Sequence, residues 1–144
     1  MSVEPNASQE WCFPQDAVHL KEIRDNICLF MESLPLDEKK KMRMTLCVDE
    51  AAANIIEHCQ PLEGDPDFKF KITAKIEEGF FKVIFSDHGS PFDPTKAPLV
   101  DIKTHIRSGS KGGLGVHIMR LNLDIFDYQR ESEENIFTLG MALT

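Results

Sequence analysis

Glu50 and Asn54 stand four residues apart in the stretch Arg43 to His58, RMTLCVDEAAANIIEH. On a helix of 3.6 residues per turn that spacing puts both on one side, together with Arg43, Cys47, Glu57 and His58. Met44, Val48, Ala52, Ile55 and Ile56 fall on the other side and are expected to pack on a core. Ala51, Ala52 and Ala53 keep the helix surface low, so a sheet or a ligand can approach closely. A carboxamide oxygen can coordinate a hard cation, and a carboxylate can orient or deprotonate a nucleophile. A plain solvated helix face would carry the same two residues.

Two further stretches carry chemical potential. Asp87 closes an apolar alternating run and Gly89 follows it, in DHGSPFD. A carboxylate at a strand end can accept a hydrogen bond from an exocyclic amine, and a nearby glycine lets a flat ring lie close to the backbone. Asp and Gly are also ordinary turn residues. Gly112, Gly113, Leu114 and Gly115 then lead into an apolar periodic segment. Small residues there expose backbone N–H groups, and a helix start favours an anion. Close helix packing would use the same glycines. Lys111 precedes the glycine pair with no strand before it, so neither a GxxxxGK[ST] loop nor a GxGxxG fingerprint is present. Arg107 and Lys111 are candidate charge partners for phosphate oxygens.

The elements that must position these groups follow from periodicity. Glu10 to Phe13 reads as a short edge strand. Val18, Leu20, Ile23, Ile27, Phe30 and Met31 predict a helix from Asp16 to Ser33. Pro35 ends it, and Asp37 caps a second helix running to His58. DFKFKITAKIE alternates with period two and predicts a strand, as does FFKVIFSD after the turn Glu77 to Gly79. A lid from about 94 to 112 precedes a helix through Val116, Ile118, Met119 and Leu121. DIFDYQR and NIFTLGMAL form a last hairpin around ESEE, with Phe137, Leu139, Met141 and Leu143 inward. This order predicts an α+β, two-layer α/β sandwich. Its mixed, mostly antiparallel sheet is covered on one face by helices, with the Lys-bearing face in water. Residues 1–9 read as a flexible tail and 10–144 as a single domain.

Composition narrows the function classes. The chain of 144 residues suits one core, and its net charge of -8 argues against broad nucleic-acid binding. No apolar run approaches a membrane span, and MSVEPNASQE lacks the basic and apolar regions of a secretory signal. Cys12, Cys28, Cys47 and Cys59 show neither a CxxC pair nor a disulfide framework, which fits reduced thiols in a cytoplasm. The expected localisation is cytoplasmic, with no membrane and no nucleic-acid partner.

Taken in order, Glu50-x-x-x-Asn54, Asp87-x-Gly89 and Gly112-Gly113-Leu114-Gly115 resemble the GHKL ATPase superfamily of gyrase, histidine kinases, MutL and heat-shock chaperones. DEAAANIIEH, DHGSPFD and GGLGVHIM are more finely similar to the anti-sigma factor serine/threonine-protein kinases of bacterial partner switching. The resemblance implies a histidine-kinase-like ATPase fold that binds ATP and magnesium. It implies Glu50 as general base, Asn54 as magnesium ligand, Asp87 as acceptor for the adenine amine, and Gly89 as the point of ring approach. Gly113 and Gly115 would approach the phosphates, and Thr138 resembles a strand threonine near the adenine. His117 stands where a larger aromatic is more usual. The implied partners are a sigma factor or an anti-sigma factor antagonist, with a homodimer expected. The implied reaction is phosphorylation of Ser or Thr on the antagonist. The alternative is a nucleotide-dependent protein-binding module without kinase activity. A two-component histidine kinase is disfavoured, because the chain is too short to add a phospho-acceptor helix region.

Overall fold

The computed structural model describes residues 7–61, 65, 67–96 and 114–144. Strand β1 (Ser8–Pro14) leads through a 3-10 turn (Ala17–His19) into α1 (Leu20–Met31) and α2 (Glu38–His58). Strands β2 (Lys69–Glu77) and β3 (Phe80–Asp87) follow, then a 3-10 turn (Pro94–Lys96), α3 (Leu114–Asn122), β4 (Ile125–Glu131) and β5 (Glu134–Ala142). The sheet order is β1-β2-β3-β5-β4, and every neighbouring pair is antiparallel. The molecule is the expected two-layer α+β sandwich.

Alternation decides which sheet face is covered. Phe70, Ile72, Ala74 and Ile76 of β2 are buried, as are Phe81, Val83 and Phe85 of β3 and Phe137, Leu139 and Met141 of β5. They form one core with Ile23, Ile27 and Met31 of α1, which recur every four residues. The Lys-bearing face of β2 lies on the side away from this core. Helix α2 buries Met44, Cys47, Val48, Ala51, Ala52 and Ile55. It packs against both α1 and α3.

Local capping explains where the helices begin and end. Asp16 accepts from the Val18 N–H at 3.0 Å, and Asp37 accepts from the Lys40 N–H at 2.8 Å. At the end of α2 the Ile55 carbonyl accepts from the Cys59 N–H at 3.1 Å, and the carbonyls beyond it have no partner within the helix. The Gln15 amide answers this end of the helix from the β1–α1 connection, donating to the carbonyls of Ile55 (2.8 Å), Ile56 (3.1 Å) and Cys59 (2.6 Å).

The structure corrects several details of the sequence reading. Strand β1 begins at Ser8, which pairs with Lys75, so Ser8 and Gln9 belong to the sheet rather than to a tail. The first helix opens as a 3-10 turn and ends at Met31. Cys47 is fully buried, because the stripe that packs on the sheet is wider than the apolar residues alone suggest. Leu121 is 70% exposed, whereas Val116 and Met119 are the inward side chains among the described ones of α3. Leu143 packs against the core as expected, but lies just past the end of β5 and is only half-buried. Of the expected lid, Pro94–Lys96 is a 3-10 turn and residues 97–113 lie outside the described residues.

The β4–β5 hairpin turns on Ser132 (φ 51°) and Glu133 (φ 64°), two left-handed residues between the paired Glu131 and Glu134. Two-residue turns of this kind favour Asn-Gly. A side chain with a Cβ costs roughly 1–2 kcal/mol in the left-handed region. The double substitution Ser132→Asn, Glu133→Gly should therefore raise stability by about 1 kcal/mol, after the added unfolded-state freedom of glycine is subtracted. A higher urea midpoint at unchanged m-value is the expected result. A lower midpoint would contradict the turn assignment.

Candidate functional site

Glu50 and Asn54 lie one turn apart at the margin of α2's buried stripe. The neighbouring Asp49 points the other way, to α1, where both its oxygens accept from the Arg24 Nε at 3.0 Å. Glu50 points to the first turn of α3. A Cβ placed on Gly115 would lie 2.5 Å from Glu50 Oε2, so only glycine allows the carboxylate to sit there. Among the described residues no hydrogen-bond donor reaches that carboxylate. Burial raises its pKa above the ordinary 4.5, and the charges of Asp49 and Glu57 push the same way. The Cys47 thiol beside it is pushed up to about 12 by burial and by Glu50, so it remains neutral.

Asn54 lines a cavity of about 430 Å³ with His58 of α2, Phe92, Asp93, Pro94 and Lys96 of the segment after β3, and Val116 of α3. That volume falls in the range of small-molecule sites, roughly 300–1,000 Å³. The His58 and Phe92 rings lie 6.0 Å apart and join the helix to the 88–94 segment.

Asp87 ends β3 and is 5% exposed. Its Oδ1 accepts from the Gly89 N–H (2.8 Å), the Asn135 Nδ2 (2.9 Å) and the Cys59 thiol (3.3 Å). Burial, reinforced by the charge of Asp87 and the hydrogen bond to it, pushes Cys59 up to about 12, so the thiol stays a donor. Gly89 is required sterically. A Cβ there would meet the Gln60 carbonyl at 2.7 Å and both Asp87 Oδ1 and Cys59 Sγ at 3.0 Å.

The candidates thus form two groups. Glu50, Asn54 and Gly115 meet where α2 faces α3. Asp87 and Gly89 meet at the end of α2, where Cys59 and Gln60 touch them. Asp87 does not line the 430 Å³ cavity. It borders a separate one of about 210 Å³ with Phe70, Ser86 and His88. Thr138 is not brought to either group. It pairs with Ile84 and alternates with the inward Phe137 and Leu139, which places it on the sheet face away from the helices. The β5 residue at Asp87 is instead Asn135, directly opposite in register. Arg107, Lys111, Gly112 and Gly113 lie outside the described residues, and Leu114 opens α3. His117 has its Nδ1 buried with no hydrogen-bond partner among the described residues.

Sequence reasoning missed Asn135, Tyr128, Arg130 and Cys59. Asn135 accepts from the Tyr128 hydroxyl and, at 2.9 Å, from Arg130 Nη1. For Asn135, Tyr128 and Arg130 the signal lies in the strand register, and Cys59 is brought in by the end of α2.

Residues 13–141 match the family model described as a histidine kinase-like ATPase domain. The chain belongs to that family. It is also 29% identical over 99 residues to serine/threonine-protein kinase BtrW of Bordetella bronchiseptica, covering 69% of this chain and 68% of that protein. No helix among the described residues is long and apolar enough to cross a membrane.

Within this histidine kinase-like ATPase domain the two glycines differ in what surrounds them. Gly89→Ala drives a Cβ into the backbone of Gln60 and should destabilise by about 1–3 kcal/mol. Gly115→Ala meets only the far end of the Glu50 side chain, which can swing away. Alanine is also the better helix former by roughly 1 kcal/mol. Chemical unfolding of both variants should show a loss for Gly89→Ala and none for Gly115→Ala. Equal losses would contradict the contacts described.

The raised pKa of Glu50 has a definite sign. A carboxyl whose folded pKa exceeds its unfolded value binds its proton more tightly when folded. The penalty is absent below the unfolded value and grows as pH rises through the folded one. Glu50→Gln should therefore be more stable than wild type at about pH 8, with the advantage shrinking toward about pH 4. Thermal unfolding across that window checks it, and a pH-independent difference would rule out the desolvated carboxylate.

Proposed function

We propose that this domain is an ATP- and magnesium-dependent protein serine/threonine kinase. Its substrate is a Ser or Thr on an antagonist of an anti-sigma factor in a bacterial partner-switching system, and it acts in the cytoplasm as a homodimer. The observation that carries the reading is the pair Glu50 and Asn54, one turn apart, with Glu50 against the start of α3 and Asn54 in the cavity wall. Family membership and the similarity to the Bordetella serine/threonine-protein kinase support it.

The residues present fit the nucleotide and the metal. The cavity beside Asn54 has the volume of a small-molecule site, and Asp87 borders a second, separate cavity. Magnesium usually takes only one or two protein ligands beside phosphates and water, so a single Asn54 oxygen suffices. Bound magnesium supplies charge neutralisation on the phosphate oxygens. Asp87 would accept the amine of the base.

Desolvation makes Glu50 a stronger base than an exposed carboxylate. Glu50 takes the proton of the acceptor hydroxyl. The freed oxygen forms a bond to the terminal phosphorus as the bridging P–O bond breaks, and ADP leaves. Positioning carries most of such a reaction. β1 is an edge strand, one surface through which a second copy can join.

The test is a radiolabelled ATP assay with the co-purified antagonist, partner binding being verified in the same tube. Glu50→Gln should leave ATP affinity nearly intact and cut transfer by about 10²–10⁴-fold. Asp87→Asn should weaken ATP binding by about 1.5–3 kcal/mol through loss of a charge-assisted hydrogen bond. Equal transfer by wild type and Glu50→Gln would defeat the base assignment. No transfer by either, with partner bound, would make the domain a nucleotide-dependent binding module.

A further inference from the structure

We infer that Asn135, locked in one orientation by Tyr128 and Arg130, is a positioning residue that commits Asp87 to bases bearing an exocyclic amine. The inference rests on Asp87 as the base acceptor in the proposed function.

The orientation of the Asn135 amide follows from its partners. Arg130 is a donor only, so the group facing its Nη1 at 2.9 Å must be the Asn135 oxygen. The Tyr128 hydroxyl donates to the same oxygen. The amide nitrogen therefore faces Asp87 Oδ1 and the Ser90 carbonyl, each at 2.9 Å, and spends one hydrogen on each. A flipped amide would set its oxygen against a carboxylate and a carbonyl, and its NH₂ against a guanidinium. Arg130 Nη1 also donates to the Gly89 carbonyl at 3.0 Å. One cation thus fixes both the amide and the backbone beside the carboxylate.

The consequence falls on Asp87. Three donors converge on Oδ1, and none among the described residues reaches Oδ2. An ionised carboxylate only accepts. With Oδ1 saturated and the group held by the sheet register, Oδ2 is an acceptor fixed in direction. A six-amino purine presents a donor to it, whereas a six-oxo purine presents a second acceptor. Buried sites of this kind discriminate because the wrong partner leaves a polar group unpaired. If Asn135 is lost, Asp87 keeps only the Gly89 N–H and the weaker Cys59 thiol, and the direction of Oδ2 is held less tightly.

The experiment is calorimetric titration with ATP, with the triphosphate of purine riboside (which lacks the six-amino group) and with inosine triphosphate. Wild type should favour ATP over both. Asn135→Ala should lose about tenfold or more in ATP affinity while the purine riboside triphosphate stays within about twofold. Tyr128→Phe, on the edge strand, should shift ATP selectively in the same direction and carries the test if Asn135→Ala does not fold. Asn135→Thr, which keeps a donor and suits a strand, should recover part of the ATP preference. Equal weakening of both ligands, or no weakening of either, overturns the inference. A wild type that binds ATP and the purine riboside triphosphate equally well, or binds neither, removes the Asp87 reading itself, and this inference falls with it.

Discussion

Helix α2 can serve the candidate site only because it lies close to the sheet and close to α3 at the same time. Cys47, Val48, Ala51 and Ala52 are buried without remainder, and none of them is large. Small side chains let the helix axis approach its neighbours, whereas leucines in these places would hold it away. Gly115 does the same on the α3 side, where a single methyl group would occupy the space of the Glu50 carboxylate. The apolar stripe and the chemical face therefore are not independent designs. Packing fixes the rotation of α2, and that rotation delivers Asp49 to α1 and Glu50 to α3.

The far end of the same helix is held by polar rather than apolar contacts. Asp87 is nearly buried, and a buried carboxylate persists only if its oxygens are answered. The donors that answer it come from the end of α2 (Cys59), the turn after β3 (Gly89) and the start of β5 (Asn135). Gln15 adds a fourth element by binding the last carbonyls of α2. Strand end, helix end and turn are thus tied at one point. Because the Gly89 position touches the Gln60 backbone, any shift of α2 along its axis would disturb both the Asp87 cluster and the Asn54 cavity.

Much of this was legible in the sequence because it is local. The period of two in KFKITAKIE and the period of 3.6 in the segment ending at His58 each fix an element and its inner face. The spacing of Glu50 and Asn54 needs only a helix to be read. Cys47 was misplaced because helical spacing alone does not say how wide the buried stripe will be. Thr138 was misplaced for a different reason. Which β5 residue meets Asp87 is set by the register of β3 with β5, across nearly fifty residues of chain. A shift of three positions moves a residue to the opposite face of the sheet. Asn135, Tyr128 and Arg130 were invisible on the same account, since Asn beside a turn reads as turn chemistry until the pairing is known.

Three carboxylates in this small domain separate structure from chemistry by their surroundings. Glu77 is drawn down to about 2 by hydrogen bonds from Lys82 and Lys75, and the three form a half-exposed ion-pair cluster on the sheet. Pairs this near the surface add little. Asp87 is buried but answered by three donors, so its burial is compatible with a stable fold. Among the described residues Glu50 has neither form of compensation. It is half-buried, its nearest charges are acidic, and no described donor reaches it. A fold selected for stability alone would place a neutral or paired residue there, because the arrangement disfavours the charged form at neutral pH. Local conflicts of this kind concentrate where a chain binds or reacts. The same desolvation that destabilises the Glu50 carboxylate raises its affinity for a proton, which is the property a general base requires. Under the proposed function, the position of Glu50 is chemistry kept at the expense of stability.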